Sequence, residues 1–180
     1  MELAIERPLP KPTSADYASA SLLEALVETK LAIDFLKRRL TRNAAGKAFQ
    51  AWKAVLAALL KLELERLKAV AKTEEKRRWL EERAVPRVPT SRVVALSQML
   101  REVGYEDVVG TTFVALSLHD YQYHGPDTDM ALSKFRSREE AAVEIAAFLR
   151  TVVKYAEKLK GACGECDRLI GELKEELKGV

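Results

Sequence analysis

The residues best suited to chemistry lie together in one short stretch, Leu118-His119-Asp120-Tyr121-Gln122-Tyr123-His124, which contains both histidines of the protein. On a helix, His119 and Tyr123 share one face, and Asp120 and His124 share the next, because residues four positions apart are neighbours. Imidazole, carboxylate and phenol groups at this spacing can bind a phosphate or transfer protons near neutral pH. The stretch is therefore the main candidate for a functional site.

Arginines elsewhere in the chain would add positive charge to this site. Arg136 and Arg138 follow it after a Gly125-Pro126-Asp127 turn, and Arg42 lies in an earlier basic segment. The functional interpretation assigns catalysis to His119 and Tyr121. It assigns ligand binding to a wider set: His119, Asp120, Tyr123, His124, Arg136, Arg138 and Arg42.

A structural interpretation of the same residues also stands. Asp120 and His124 would be an ordinary helix pair, and a histidine near a helix C-terminus interacts favourably with the helix dipole. Tyr121 and Tyr123 would pack with their rings inside and their hydroxyls at the surface. The sequence leaves both interpretations open and favours the structural one.

The basic segment has a similar ambiguity. No acidic residue lies between Asp34 and Glu63, whereas seven cations do: Lys37, Arg38, Arg39, Arg42, Lys47, Lys53 and Lys61. Phe49 and Trp52 alternate with these cations, as aromatic residues do in proteins that bind single strands. Their helical spacing also fits an apolar face, which favours two core residues beneath a solvated basic surface.

Cys163 and Cys166 are the only cysteines and form one Cys-x-x-Cys pair. Two ligands cannot complete a zinc site. A redox dithiol of the thioredoxin type needs a strand that leads into a helix, and no such strand is predicted. We therefore expect two small residues near a helix break, with a local disulfide as the alternative in a thermophile. No metal and no cofactor is predicted.

The elements that must position these residues are helices. The chain has 180 residues, 48% of them hydrophobic and 32% charged, a balance that suits amphipathic helices around one core. The periodicity predicts an all-α, antiparallel, up-and-down bundle of about five to six helices over residues 15–180. Prolines at positions 8, 10 and 12 predict an extended arm over residues 1–14.

Helix-breaking residues and capping residues predict where the helices begin and end. The first helix is expected from about Ala15 to Leu40, and the second continues after Asn43 towards Ala71. A short helical turn is expected over residues 128–134. Ser137-Arg138-Glu139-Glu140 is a capping box that begins a long helix. The final amphipathic helix follows a break over residues 161–164.

Several of these segments resemble the archaeal PaREP family, over about residues 20–157. They are Arg42-Asn43-Ala44-Ala45-Gly46-Lys47-Ala48-Phe49-Gln50-Ala51-Trp52-Lys53, the Leu-His-x-Tyr-x-Tyr helix, the Gly125-Pro126-Asp127 turn and Ser137-Arg138-Glu139-Glu140-Ala141. That family is similar in fold to HEPN domains and to the substrate-binding helical domains of nucleotidyltransferases. The resemblance implies an antiparallel bundle that forms a homodimer.

HEPN ribonucleases carry an arginine five to seven positions before a histidine that is often followed by x-Tyr. His119-Asp120-Tyr121 matches the second part, but positions 112–114 are Thr112, Phe113 and Val114. The window for His124 also lacks arginine. Without a fixed cation to stabilise phosphate charge, ribonuclease activity is disfavoured.

The sequence thus predicts a non-catalytic module that binds a nucleotide, RNA or a protein such as a nucleotidyltransferase. The alternatives are a degenerate metal-independent ribonuclease and a bundle whose only role is dimerisation. The first residues lack the apolar core of a signal peptide, and no apolar run is long enough to span a bilayer. We therefore expect a cytoplasmic protein with no membrane contact.

Overall fold

Apolar side chains at intervals of three and four residues form the first two long helices. A computed structural model describes residues 8–180. Helix α1 (Tyr17–Lys37) and helix α2 (Thr41–Leu62) are joined by three residues and pack along their length as an antiparallel hairpin. Leu22, Leu26 and Ile33 of α1 are fully buried, as is most of the apolar face of α2.

Six further helices follow along the chain. They are α3 (Leu64–Val70), α4 (Glu74–Trp79), α5 (Val93–Glu102), α6 (Val108–His124), α7 (Arg138–Lys158) and α8 (Cys166–Glu176). Shorter helical turns fill most of the connections: Leu80–Ala84, Val85–Arg87, Thr90–Arg92, Lys160–Ala162 and Leu177–Gly179. No residue in the range 8–180 lies in a β-strand.

Side-chain contacts fix the directions of the helices in the core. Trp52, in the middle of α2, donates its indole N–H to the Thr112 hydroxyl near the start of α6, at 2.9 Å. Thr41, at the start of α2, lies 2.7 Å from the hydroxyl of Tyr121, near the end of α6. Helices α2 and α6 therefore run antiparallel. Trp52 also packs edge-on against Phe148 and Tyr155, which brings α7 to the same core.

A buried chain of hydrogen bonds joins three helices beneath the indole of Trp52. Thr112 lies 2.6 Å from the Ser97 hydroxyl of α5 and contacts the carbonyl of Val108 at 2.8 Å. Ser97 and Thr112 are fully or almost fully buried. Since a buried polar group is costly without a partner, this network holds α2, α5 and α6 in one arrangement.

The all-helical prediction is confirmed, but the predicted number of helices is too low. Eight α-helices of six residues or more lie within residues 8–180. The predicted second helix is interrupted at Glu63, and after α3 the chain is helical again without a break from residue 74 to residue 87. Apolar periodicity continues through Leu64 and Leu67, so it gives no signal for the break.

Two local predictions differ from the structure: the start of the first helix and the helical turn before α7. Helix α1 begins at Tyr17 after a turn in which the Ser14 amide donates to the Lys11 carbonyl, at 2.8 Å. Residues 1–7 of the predicted arm lie outside the described residues, and residues 8–10 have no regular structure. Residues 128–134 form turns and bends, so the helical turn predicted there is wrong.

Cys163 and Cys166 form a disulfide at the start of α8. Both residues are almost fully buried. The alternative that the sequence left open is therefore the one that the structure shows. Within residues 8–180, none of the helices combines the length and the apolar composition that crossing a bilayer requires.

Candidate functional site

Arg42 joins the start of α2 to the end of α6. Its Nε donates to the Gln122 carbonyl at 2.8 Å, and a terminal guanidinium nitrogen donates to the Tyr123 carbonyl at 2.7 Å. The last carbonyls of a helix have no partner within the helix, and a cation there also interacts favourably with the dipole. The first role of Arg42 is thus to cap α6, although its side chain remains exposed.

Helices α2 and α6 approach closely where α2 is built from small residues. Ala44, Ala45, Gly46 and Ala48 are all buried. A Cβ atom placed on Gly46 would lie 2.7 Å from the side-chain carbon Cδ of Gln122. This small-residue segment therefore lies in an interface between two helices of the same chain.

His119 lies in this interface with its ring against Phe49. The two ring centroids are 4.2 Å apart and stacked, and Tyr123 packs edge-on against the imidazole at 5.1 Å. Its Nδ1 is buried and has no hydrogen-bond partner within residues 8–180. Burial lowers the pKa of His119, an effect that Lys53 reinforces and that Asp120 and Gln122 oppose. The neutral imidazole is therefore favoured.

Tyr121 points away from His119 into the core. It is fully buried, its hydroxyl pairs with Thr41, and its ring packs edge-on against Phe135 at 5.6 Å. Two residues apart on a helix, His119 and Tyr121 face different directions. The structure does not bring the two candidate catalytic groups together.

The remaining candidates on α6 are exposed. Tyr123 keeps 60% of its surface accessible, and Asp120 and His124 lie at the surface beside it. Within residues 8–180, Asp120 and His124 form no ion pair with each other. These three residues are free to meet a ligand or another protein.

The loop after α6 is organised by one carboxylate. Asp127 accepts hydrogen bonds from the backbone amides of Asp129, Leu132 and Ser133 at 2.7–3.3 Å. These bonds, led by the one from Leu132, lower the pKa of Asp127. Its negative charge is used to fold the loop, which explains the Gly-Pro-Asp sequence at this turn.

Arg136 and Arg138 leave the loop at the start of α7. The Arg136 side chain donates to the Met130 sulfur at 3.2 Å, and its backbone amide donates to the Glu140 carboxylate at 2.7 Å. Ser137 accepts from the Glu140 amide at 3.0 Å, as predicted, whereas the Glu140 carboxylate reaches back one residue further than a capping box requires, to the Arg136 amide. Both arginine side chains are exposed.

The lysines of the basic segment are largely engaged. Lys37 pairs with Glu176 at 2.6 Å, Lys47 pairs with the buried Glu28 at 2.9 Å, and Lys53 lies 6.0 Å from the Phe49 ring centre. Trp52 and Phe49 are core residues, as their spacing indicated. Lys53 and Lys61 have no carboxylate partner within residues 8–180, so the charge of the segment that forms no ion pair is carried by these two lysines and by its three arginines.

Five exposed arginines lie at the same end of the bundle. We call this group the basic end, and it consists of Arg38, Arg39, Arg42, Arg136 and Arg138. Arg42 holds the end of α6 there, and the contact of Phe135 with Tyr121 brings the start of α7 alongside. Within residues 8–180, none of the five forms an ion pair with a carboxylate. Guanidinium groups in this state can bind phosphate oxygens.

Sequence reasoning found Arg42, Arg136 and Arg138 but did not select Arg38 and Arg39 from the basic segment. Both follow the last turn of α1, and the positive φ of Arg39, 59°, marks the tight corner before α2. The sequence could have indicated both arginines, because a corner between two long helices is exposed and its side chains point into solvent.

A separate groove of about 630 Å³ lies along α1, away from the basic end. Its lining includes the acidic residues Asp16, Glu24, Glu28 and Glu165. Within residues 8–180, no group of three or more histidine, cysteine, aspartate or glutamate residues has a metal-binding arrangement.

The fold and the site define an all-helical protein with an arginine-rich end. The family model of the archaeal PaREP1/PaREP8 family matches residues 20–146, which is more than half of the chain. The chain belongs to this family. No curated protein and no solved structure shows significant similarity to it. The relation to HEPN domains therefore stays a prediction.

Proposed function

We propose that this protein is a non-catalytic module that binds the phosphate groups of RNA or of a nucleotide at its basic end. The observation that supports this most is the set of five exposed arginines with no carboxylate partner. An unpaired guanidinium keeps its donors available, and phosphate is the anion that best matches their geometry.

The nearby acids do not cancel this charge by direct pairing. Asp127 is bonded to backbone amides of its own loop, and Glu140 accepts from the Arg136 amide rather than from its side chain. The net charge of the chain is only +3. Binding would therefore depend on where the arginines lie rather than on the total charge, and would weaken steeply with salt.

The geometry gives less support to a ribonuclease. The hydroxyl of Tyr121 is buried against Thr41, and Nδ1 of His119 is buried under Phe49. General acid–base catalysis needs each group within hydrogen-bond reach of the proton that it transfers. We therefore expect RNA to stay intact during long incubation with the wild-type protein.

The experiment is a titration of fluorescently labelled single-stranded RNA, followed by anisotropy at several salt concentrations. The double variant Arg38→Ala/Arg136→Ala removes two unpaired cations from the basic end. Each lost phosphate contact reduces the salt slope by about 0.7 for a single strand, so the double variant should lose about 1.4. Its affinity should fall roughly tenfold or more at low salt.

The matched control is Arg78→Ala/Arg101→Ala, which removes two exposed arginines far from the basic end in the chain. It should bind RNA like the wild type. Equal losses in both double variants, or binding by the wild type no stronger than that of a neutral protein, would refute the proposal.

The resemblance to HEPN and nucleotidyltransferase-associated bundles further favours a homodimer and a nucleotidyltransferase as partner. Both are part of this proposal. Self-association is measured by sedimentation, and the partner by copurification of a nucleotidyltransferase with the tagged chain from its native source.

A further inference from the structure

Helix α6 has apolar side chains on the face that points away from the core. No charged residue lies between Val108 and Leu118. The inner face is buried through Val108, Thr112, Ala115, Leu118 and Tyr121. On the other face Phe113 is 55% exposed, and Val109 and Leu116 are half-buried. A helix with apolar residues all around it is usually buried on every side, so we expect a second surface to cover the outer face of α6.

We call the apolar residues of this face the outer stripe: Val109, Phe113, Leu116 and Tyr123. Phe113 and Tyr123 are exposed, whereas Val109 and Leu116 are half-buried and also pack against the core. The Ser117 hydroxyl beside the stripe is already bonded within the helix, to the Phe113 carbonyl at 3.1 Å. Gly110 faces open space. A second surface could therefore cover the middle of the stripe without leaving a hydroxyl unpaired, while the Tyr123 hydroxyl lies at the exposed end of the stripe.

We infer that the outer stripe is the homodimer interface, in which α6 packs antiparallel against α6 of a second copy about a two-fold axis near Leu116. This inference rests on the self-association proposed above and assigns its surface. In a two-fold interface the same patch serves both copies, so it must be compatible with itself. The eleven residues of α6 from Val108 to Leu118, which include three of the four stripe residues, carry no charge and meet that condition.

The charges at the two ends of α6 set the direction. Glu106 is exposed before the helix begins, whereas His124 and the cationic Arg42 lie at its end. Glu106 and His124 are 18 positions apart, and the midpoint between them is Ala115. Antiparallel pairing about that region places the acidic end of each copy beside the basic edge of the other. Parallel pairing would place like charges together.

The first turn of α6 gives a second reason for this direction. It contains no acidic residue, and the residue before it makes no side-chain cap. In the antiparallel arrangement the exposed Asp120 of one copy approaches Gly110 of the other. A carboxylate near a helix N-terminus is stabilised by the unpaired amides and the dipole. The second copy thus supplies a carboxylate to the first turn itself, which contains none, while Asp107 just before it is bonded to the Tyr155 hydroxyl.

Sedimentation over a range of protein concentrations tests the assignment. The wild type should sediment at twice the mass of the 20.2 kDa chain. Phe113→Glu places a charge at the centre of the stripe and should weaken association roughly hundredfold. The control is Val143→Glu on α7, where the side chain is 71% exposed, and it should associate like the wild type.

The outcomes separate the two claims. A monomeric wild type at high concentration would refute both self-association and this interface. A Phe113→Glu variant that associates like the wild type would refute only the interface. Equal dissociation of Val143→Glu would also overturn the assignment to α6. The RNA titration of the basic end is read out independently of all three results.

Cysteine cross-linking tests the register, since the two native cysteines within the described chain are bonded to each other and none is free. Under mild oxidation Leu116→Cys should form a covalent dimer with itself. Val109→Cys and Tyr123→Cys should each remain uncrosslinked alone but crosslink when mixed. Efficient self-crosslinking of Val109→Cys and of Tyr123→Cys would indicate parallel pairing and overturn the proposed geometry.

Discussion

Replacing Arg42 tests whether its first role is to cap α6. In Arg42→Ala, the carbonyls of Gln122 and Tyr123 lose two hydrogen bonds from a charged donor, at 2.8 and 2.7 Å. Bonds to charged groups contribute about 1.5–3 kcal/mol each when buried. This side chain is exposed, so solvent screening reduces the sum to about 1–2 kcal/mol.

For a protein of this size, that loss corresponds to a decrease in Tm of roughly 3–6 °C. Thermal unfolding followed by circular dichroism measures it. Arg42→Lys keeps the charge but cannot reproduce the two-pronged contact, so it should recover about half of the loss. Hydrogen exchange gives a local readout. The Gly125 amide, which donates to the Tyr121 carbonyl at 2.7 Å, should exchange faster in Arg42→Ala.

Arg38→Ala is the matched control because it removes the same charge from the same end of the bundle. Surface substitutions of this kind change stability by about 0.5 kcal/mol or less. If Arg42→Ala and Arg38→Ala unfold at the same temperature and Gly125 keeps its protection, the capping role is refuted. Arg42 would then contribute only its positive charge to the basic end and would not stabilise the end of α6.

Three further predictions concern the core, the histidine and the disulfide. Thr112→Val leaves the buried indole N–H without its acceptor and should lower the free energy of unfolding by about 1–3 kcal/mol. Thr111→Val, whose hydroxyl bonds only within the exposed helix surface, should change it by less than about 0.5 kcal/mol in chemical denaturation. Burial lowers the pKa of His119 below its unfolded value of 6.5, so its contribution to stability is complete above that pH and is lost as the pH falls below it. The decrease in unfolding free energy from pH 7.5 to 5.5 should therefore be smaller in His119→Phe than in the wild type, and an equal or larger decrease would contradict the burial argument. The disulfide closes a short loop, so Cys163→Ala/Cys166→Ala should cost about 2 kcal/mol. A reductant should lower Tm in the wild type and leave this double variant unchanged.

The helical class and the long helices were predictable because their apolar residues recur at helical spacing. The N-cap at Ser137 could also be predicted from the sequence, since its hydrogen bond joins residues that are neighbours in the chain. The break between α2 and α3 at Glu63 could not be predicted from the sequence. Apolar residues continue through it, and its side chain is held by Tyr105 from a distant segment, at 2.8 Å.

The sequence predicted which residues belong to the candidate site, but it could not predict in which direction each side chain points. The sequence grouped His119 with Tyr121, yet contacts with Phe49 and Thr41 turn the two side chains to different places. These partners come from α2, about 70–80 positions away in the chain. Helical spacing can show which residues share a face, but it cannot show what each face meets.

The role of Arg42 illustrates the same limit more sharply. Its place in a basic segment indicated a ligand-binding cation, whereas the structure gives two of its donors to the end of α6. An arginine has five N–H donors, so capping leaves three for a phosphate. The two roles are compatible. The cap fixes where the guanidinium lies, and a fixed cation pays less entropy when it binds an anion.

Helix α6 connects the core, the basic end and the proposed dimer. Its inner residues Thr112 and Tyr121 bond to α2 and α5, its last carbonyls hold Arg42, and its outer stripe is left uncovered. A helix fixed on two sides by the chain presents a rigid third side, so a second copy would find the stripe already ordered. Rigid presentation lowers the entropic cost of association. Loosening the inner contacts by Thr112→Val should therefore weaken dimerisation as well as stability, whereas Phe113→Glu should weaken dimerisation alone.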